Sequence, residues 1–532
     1  MFVGPVCSRT SDQEASVETL DIAIVVAYLG FVALLGLYFS RQQKTTEDYF
    51  LAGRNIPGWV VGFSILGTIV SSASFVGHPG NVFHKNMYLI PMHVVPLFVM
   101  LFVGRYLVVF YRRTLRMTVY AYLEKRFGYA ARAYGAAAFL LNRITDVSVT
   151  YYFLAIAAAY LTDWDVTTVI LVLGVITVVY TLVGGIQAVV WTDVVQGILL
   201  IGGGCLCVAI VLIQSGASPT EVVVRAWEGG KFDIDRWNFN LSENNQWFYI
   251  VGSVVIWVQT FAFGQNNVQR YLLARSDKDA VRGAYLGAAA CLPVWLLFML
   301  VGALLWSFYQ VRAEQLPQDV MEIQDRIVPY FIRTQFPAGL KGLMLAALIA
   351  AAMSSLDSDL NAMASVAVSD FYERFCPQAF DSQRLLVGKG CVVLFGAASI
   401  VLALQWTQIE DPSLVEFMMT MSMIVTGGIL GLFALGMLFR WTTARGAYLG
   451  ILACLLFTLW ATLTTIRLPG TEVPVVNLER FNYSLSPFLI GVLGHVILVV
   501  VGLVASAFKK GPAPDTTGLT LSDVIASRRR SD

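Results

Sequence analysis

Between two apolar runs, KGLMLAALIAAA and MASVAV, the segment Met353–Ala362 reads MSSLDSDLNA: three serines, two aspartates and an asparagine in ten residues. On a helix, Ser354, Asp357, Ser358, Asn361 and Ser365 share one face, with Ser355 at its edge and Asp359 pointing away. Hydroxyls beside a carboxylate are hard oxygen ligands, which suit a small cation far better than a transition metal. Inside a membrane span such a stripe must face protein or water, and a carboxylate there marks a functional site. The competing reading is structural. Ala350, Ala351, Ser354 and Ser355 are small enough for close helix packing, with the serines bonded to the preceding turn.

Two other stretches interrupt apolar runs with glycines and polar residues: GWVVGFSILGTIVSSASFVGHPG, from Gly58 to Gly80, and QTFAFGQNNVQR, from Gln259 to Arg270, five spans later. Paired broken helices at corresponding places in two halves point to an inverted-repeat secondary transporter, in which unwound carbonyls coordinate a cation near the midplane. Arg143, in LLNRITDVSVTYY, also falls within a span and therefore needs an anion nearby. Asp146, at i+3, is one candidate; a substrate carboxylate, matched to the planar guanidinium fork, is the other.

These groups must be held by membrane helices. The 532 residues are 57% hydrophobic and only 13% charged, with a mean hydropathy of +0.68, outside the range of soluble globular chains. A net charge of +1 gives no reason to expect a nucleic-acid partner. Seven cysteines show no disulfide or metal-ligand spacing. Four histidines, His78, His84, His93 and His495, are too dispersed for a haem or multi-metal oxidoreductase. The N-terminal residues lack the basic-then-apolar order of a cleaved signal, so the first apolar run is expected to remain as an anchor.

Apolar runs long enough to cross the bilayer number about thirteen. They are expected at Leu20–Phe39, Pro57–Phe83, Met87–Tyr111, Ala133–Leu161, Val166–Gly184, Ile186–Gln214, Trp247–Tyr271, Arg282–Tyr309, Leu340–Asp370, Leu385–Trp406, Val415–Phe439, Ala444–Ile466 and Tyr483–Phe508. One set of alternate loops holds roughly 23 Lys and Arg against about 11 on the other, which puts the N-terminus outside and the C-terminus in the cytoplasm. DVMEIQDRIVPYFIRTQF aligns Val320, Ile323, Ile327 and Phe331 along one stripe and is expected to form an interfacial helix. The tail after Lys509 is expected to be disordered. No soluble domain is large enough for an active site, and no nucleophile–base pair stands out within the spans, so the chain does not read as an enzyme.

Four stretches, DYFLAGRNIPGW, YTLVGGIQAVVWTDVVQ, QNNVQRYLLAR and AALIAAAMSSLDSDLNAMASVAVSDFY, resemble the sodium/solute symporter family in identity and order. That family carries sugars, sialic acid, proline, pantothenate and monocarboxylates with sodium. The resemblance implies an all-α membrane protein of LeuT-like five-plus-five inverted repeat. It divides the chain into an extracellular segment (1–19), an extra helix (20–39), two repeats (57–214 and 247–439), C-terminal helices (444–508) and a cytoplasmic tail (509–532). The coupling ion would be sodium, one or two per cycle, and the protein would sit as a multi-pass chain in the lipid bilayer of the cell membrane. Its oligomeric state is left open.

By the same resemblance, the shared sodium site would use the carbonyls of Gly67, Val70 and Ala351 and the hydroxyls of Ser354 and Ser355. Five neutral oxygens leave no buried anion behind when the ion departs. A second sodium site would use Asp193, Ser354, Asp357 and Ser358; Asp357 stands where other members often have serine or threonine. For Asp193 the bland reading is helix-start stabilisation after Gly184 and Gly185. Solute would lie between the broken spans, facing Ser71, Ser74, Arg143, Gln259, Thr260, Phe263 and Gln265. Sialic acid transporters of the family resemble the chain in an arginine near position 143. Galactose-type members differ where Ser74, Trp257 and Thr260 stand. The leading reading is a sodium symporter of a small, carboxylate-bearing solute such as a sugar acid, sialic acid or monocarboxylate. A sugar or polyol, proton coupling on the same fold, and a non-transporting sensor are the alternatives.

Overall fold

The computed structural model describes residues 18–41, 43, 45–115, 117–240, 245–313, 315–407, 421, 424, 427–465, 473–508 and 515–529. Among them the chain is helical, with one isolated parallel bridge joining Ile56 to Ala274. The principal helices are α1 (Thr19–Ser40), α2 (Gly58–Ile69), α3 (Ser72–His84), α4 (Ile90–Phe102), α5 (Tyr129–Thr162), α6 (Val166–Gln214), α7 (Gln246–Val258) and α8 (Gln265–Leu273). They continue with α9 (Asp277–Arg312), α10 (Leu340–Val366), α11 (Asp381–Trp406), α12 (Ile429–Leu438), α13 (Ala444–Leu463), α14 (Leu489–Ala507) and α15 (Leu521–Arg529).

Among the described residues ten helices are long and apolar enough to cross a membrane, and the α2/α3 pair, bent by 54°, makes eleven. The 49 residues of α6 would rise about 73 Å, over twice the hydrocarbon thickness. Gly185, at φ 54° and ψ −176°, breaks it into the two expected crossings. That combination is open essentially to glycine alone. Of the expected span Val415–Phe439, α12 is described, and most of the residues before it lie outside the described set.

The two halves close on each other through small residues. Gly58 and Gly62 on α2 face Gly283 and Gly287 on α9, a GxxxG pair on each helix. A Cβ at Gly283 would lie 2.6 Å from the Gly58 carbonyl oxygen, and one at Gly287 2.8 Å from that of Gly62. At the same end, Ile56 N donates to Leu273 O and Arg275 N to Ile56 O, both at 3.0 Å. The start of the first broken span is thus tied to the end of the second. The extra helix α1 is anchored too. Asp21 is buried and its Oδ1 accepts from Gly339 N and Gly342 N at 2.7 Å each, capping the start of α10.

Two expectations are corrected. The stripe at 318–335 is not one interfacial helix: Ile323 is extended (φ −107°, ψ 101°) and separates Gln318–Glu322 from Ile327–Gln335. Pro329 suits the first turn of a new helix, not the interior of a longer one. Val320, Ile327 and Phe331 are buried against the protein while Ile323 is partly exposed, so protein, not lipid, covers the stripe. The tail is also ordered over 515–529: Tyr122 Oη donates to Leu519 O at 2.9 Å, and Arg440 pairs with Asp523.

Candidate functional site

Both broken spans unwind at mid-chain. Val70 is extended (φ −96°, ψ 107°), and Ser71 then caps α3, its Oγ accepting from Ala73 N at 3.3 Å. In the second, the wide turn Gln259–Phe263 runs into extended Gly264. Such turns recur at functional sites because they free carbonyls from helical bonding.

α10 crosses the first break. Ser354 Oγ lies 2.9 Å from Gly67 O and 3.0 Å from Ala351 O, and Ser355 Oγ lies 3.1 Å from Gly67 O. Gly67, Ala351, Ser354 and Ser355 therefore converge, with buried Val70 at the turn beside them. The serine that bonds its preceding turn also reaches another helix, so the packing arrangement itself brings these oxygens together. The approach at Gly67 is close: a Cβ there would meet Ser354 Cβ at 3.2 Å and Asp193 Cβ at 3.3 Å. These are neutral oxygens of the hardness an alkali ion takes. Among the described residues no group of three His, Cys, Asp or Glu is placed to hold a metal.

One turn deeper lies a charged cluster. Ser64 Oγ donates to Asp193 Oδ2 at 2.5 Å; Arg270 Nη2 is 3.8 Å from the same oxygen; and Arg270 Nε is 3.2 Å from Ser64 Oγ. Arg270 also reaches Ser358 Oγ, which accepts from Thr68 Oγ1 at 3.1 Å. Asp193, Asp357 and Arg270 are fully buried. Asp193 Oδ1 and both Asp357 oxygens have no hydrogen-bond partner among the described residues. Asp193 therefore serves the tertiary cluster, not the start of its own helix, and its free oxygen and those of Asp357 fit a second cation. Arg270 was missed in the sequence, although its signal, an arginine in a span, is the one that marked Arg143.

A cavity of about 180 Å³ opens beside both clusters, lined by Ser71, Ser74, Arg143, Thr260 and Ser355, by Asp146 and Trp257, and by the unforeseen His78, His93, Asn266, Trp295 and Asp359. A smaller cavity continues past Arg143, Thr260 and Asn266 to Gln259 and Phe263, where Phe263 stacks on Phe433 with ring centroids 4.1 Å apart. Gln265 departs from expectation. It is fully buried away from both cavities, its Oε1 accepting from Val119 N at 2.9 Å and its Nε2 donating to Met117 O at 2.8 Å. One residue past the break, it caps a neighbouring loop. Arg143 pairs with Asp146 on its own helix, as one sequence reading held, and also lies 3.4 Å from Asp359. Asn266 Nδ2 donates to Asp359 Oδ1 at 2.7 Å. Asp359, off the serine face, instead faces the cavity.

A cation-sized oxygen cluster at a helix break, opening on a cavity between the helices, defines a secondary transporter built on broken helices. The model of the sodium:solute symporter family matches residues 49–454, and the chain belongs to that family. It is 29% identical to a sodium/sialic acid symporter of Aliivibrio fischeri over 93% of this chain and 94% of that one. It is 27% identical to the human sodium-coupled monocarboxylate transporter 1 over 91% of this chain and 86% of that one. A solved substrate-bound, outward-open Na+-coupled sialic acid symporter superposes with a TM-score of 0.82 at 28% identity, covering 93% of this chain and 99% of the other. The protein is thus a membrane-spanning sodium:solute symporter, not an enzyme, and sodium is its coupling ion.

Proposed function

We propose that the protein takes up a small carboxylate-bearing solute, with sodium held by Gly67, Val70, Ala351, Ser354 and Ser355 and the solute carboxylate received by Arg143. The observation that carries this reading is Ser355, whose hydroxyl belongs to the oxygen cluster and also lines the cavity. Sodium there fixes α10 against the α2/α3 break and orients the wall that the solute touches. Each ligand then favours the other by the same free energy, typically about 1–3 kcal/mol. The cycle is alternating access, with sodium entering from outside, the N-terminus extracellular and the C-terminus cytoplasmic, as loop charge indicates. Ser71, Ser74, Thr260 and Gln259 supply hydrogen bonds around the solute, and Phe263 closes the path beyond it. Asp193, Asp357, Ser354 and Ser358 hold a second sodium. Relatives named for sialic acid and for monocarboxylates support a carboxylate solute.

The test is purified protein in proteoliposomes with an imposed sodium gradient. Wild type is expected to show sodium-dependent thermal stabilisation and solute uptake. The double variant Ser354→Ala, Ser355→Ala should stay folded, because alanine fits where serine packs, but need at least tenfold more sodium for half-maximal stabilisation. Unchanged sodium dependence in that variant rules out the site.

A further inference from the structure

The cavity and the charged cluster beside it hold four carboxylates, Asp146, Asp193, Asp357 and Asp359, and two guanidiniums, Arg143 and Arg270. His78 and His93 have ring centroids 4.8 Å apart, with no carboxylate at ion-pair distance among the described residues, and enter the balance as neutral rings. Counted as ionised, the four carboxylates leave an excess of two negative charges over the two guanidiniums. Two sodium ions offset it, and a solute of net negative charge would restore an imbalance in a medium that punishes unpaired charge.

The cavity itself repeats the pattern locally. One guanidinium, Arg143, stands between the carboxylates of Asp146 and Asp359. A solute carboxylate that engages the fork releases one of them, which then needs a cation. Trp257 and Trp295 also line this cavity, their ring centroids 5.3 Å apart, and aromatic walls of this kind suit an ammonium group. Among the described residues, buried Trp257 Nε1 and both nitrogens of His93 have no hydrogen-bond partner, leaving polar groups in the lining for a solute to meet.

From this juxtaposition we infer that the solute is a zwitterion of amino-acid or betaine type, its carboxylate on Arg143 and its cationic nitrogen between Asp359 and the tryptophan pair. The inference rests on the symport reading above and narrows it. Its test uses the full-length protein with five probes, L-alanine, trimethylglycine, gluconate, propionate and glucose, each read by sodium-dependent thermal shift and by uptake. At least one of the two zwitterions is expected to half-saturate at a concentration tenfold or more below gluconate and propionate. Asp359→Asn should weaken the zwitterion at least tenfold and raise the relative response to gluconate, while sodium alone still stabilises the protein. Asp146→Asn serves as the second variant if Asp359→Asn does not fold. Sodium-dependent uptake of gluconate, propionate or glucose without a zwitterion response overturns the inference and leaves symport standing. So does stabilisation by sodium alone with no response to either zwitterion. Loss of every sodium effect would instead count against the symport reading.

Discussion

At the scale of residues, the charge on Arg143 is the most exacting feature of the cavity. Removing it strands Asp146 and Asp359 together in a buried site, whereas removing Asp146 leaves Asp359 at 3.4 Å as a partner. Arg143→Ala is therefore expected to lower stability by about 3 kcal/mol or more and to abolish solute binding. Asp146→Asn should cost much less, and the combination Arg143→Ala, Asp146→Asn should regain part of the lost stability without regaining uptake. Thermal unfolding in detergent, paired with uptake, separates the two effects. The serine–aspartate stripe, the two breaks and Arg143 were legible in the sequence because a polar group in an apolar run stands out without any partner in view. Asp359 was not, because its partners Arg143 and Asn266 come from other helices and its own face of α10 carries no other polar mark. Gln265 was misassigned for the converse reason. Its neighbours in sequence line the cavity, but one residue of helix turns a side chain by about 100°.

At the scale of elements, the breaks do more than expose carbonyls. Gly185 lets α6 reverse so that Asp193 arrives beside α2, and its φ of 54° with ψ −176° excludes a side chain. A Cβ there would also lie 2.7 Å from Gln43 Nε2. Gly185→Ala is expected to cost about 1–3 kcal/mol, read as a lowered Tm and a weakened response to sodium, because Asp193 moves with the turn. A second element is held from the loop between α6 and α7. Lys231 Nζ donates to Phe83 O at 2.8 Å and Lys85 O at 2.9 Å, closing the end of α3. Burial pushes its pKa down from 10.5 to about 8. The unfolded chain then binds more protons than the folded one between about pH 8 and 10.5, so this group makes stability rise with pH across that window. Lys231→Gln should remove that rise from a Tm-against-pH profile, while an unaltered profile would assign it elsewhere. The described helices were legible to within a turn or two, since apolar length is read directly, although the last span begins at Leu489 and not at Tyr483. The split stripe at 318–335 was not, because lipid and protein select the same apolar face.

At the scale of the whole molecule, two halves that each open on a broken helix meet along α2 and α9, and the proposed ion and solute sites lie at the breaks. If two sodium ions accompany a net-neutral solute, each cycle moves two charges, each worth about 2.3 kcal/mol per 100 mV. Reversal potentials measured in proteoliposomes against imposed sodium and solute gradients should report two charges per solute. A value of one would place a single sodium in the cycle and leave Asp193 and Asp357 with a structural role beside Arg270.

By itself the sequence determined that the chain lives in a membrane, roughly where it crosses, where two crossings break, and that hydroxyl and carboxylate oxygens interrupt the span that passes one of them. Hydrocarbon imposes these features locally, since each segment must satisfy its own backbone and each polar residue announces its cost. Only the tertiary structure decided which of those oxygens meet. Ser64, Asp193, Arg270 and Ser358 come from four separate helices, and Arg143 finds Asp359 across 216 residues. Such meetings depend on how each helix is rotated and how closely its small residues let another approach, and no single segment carries that information.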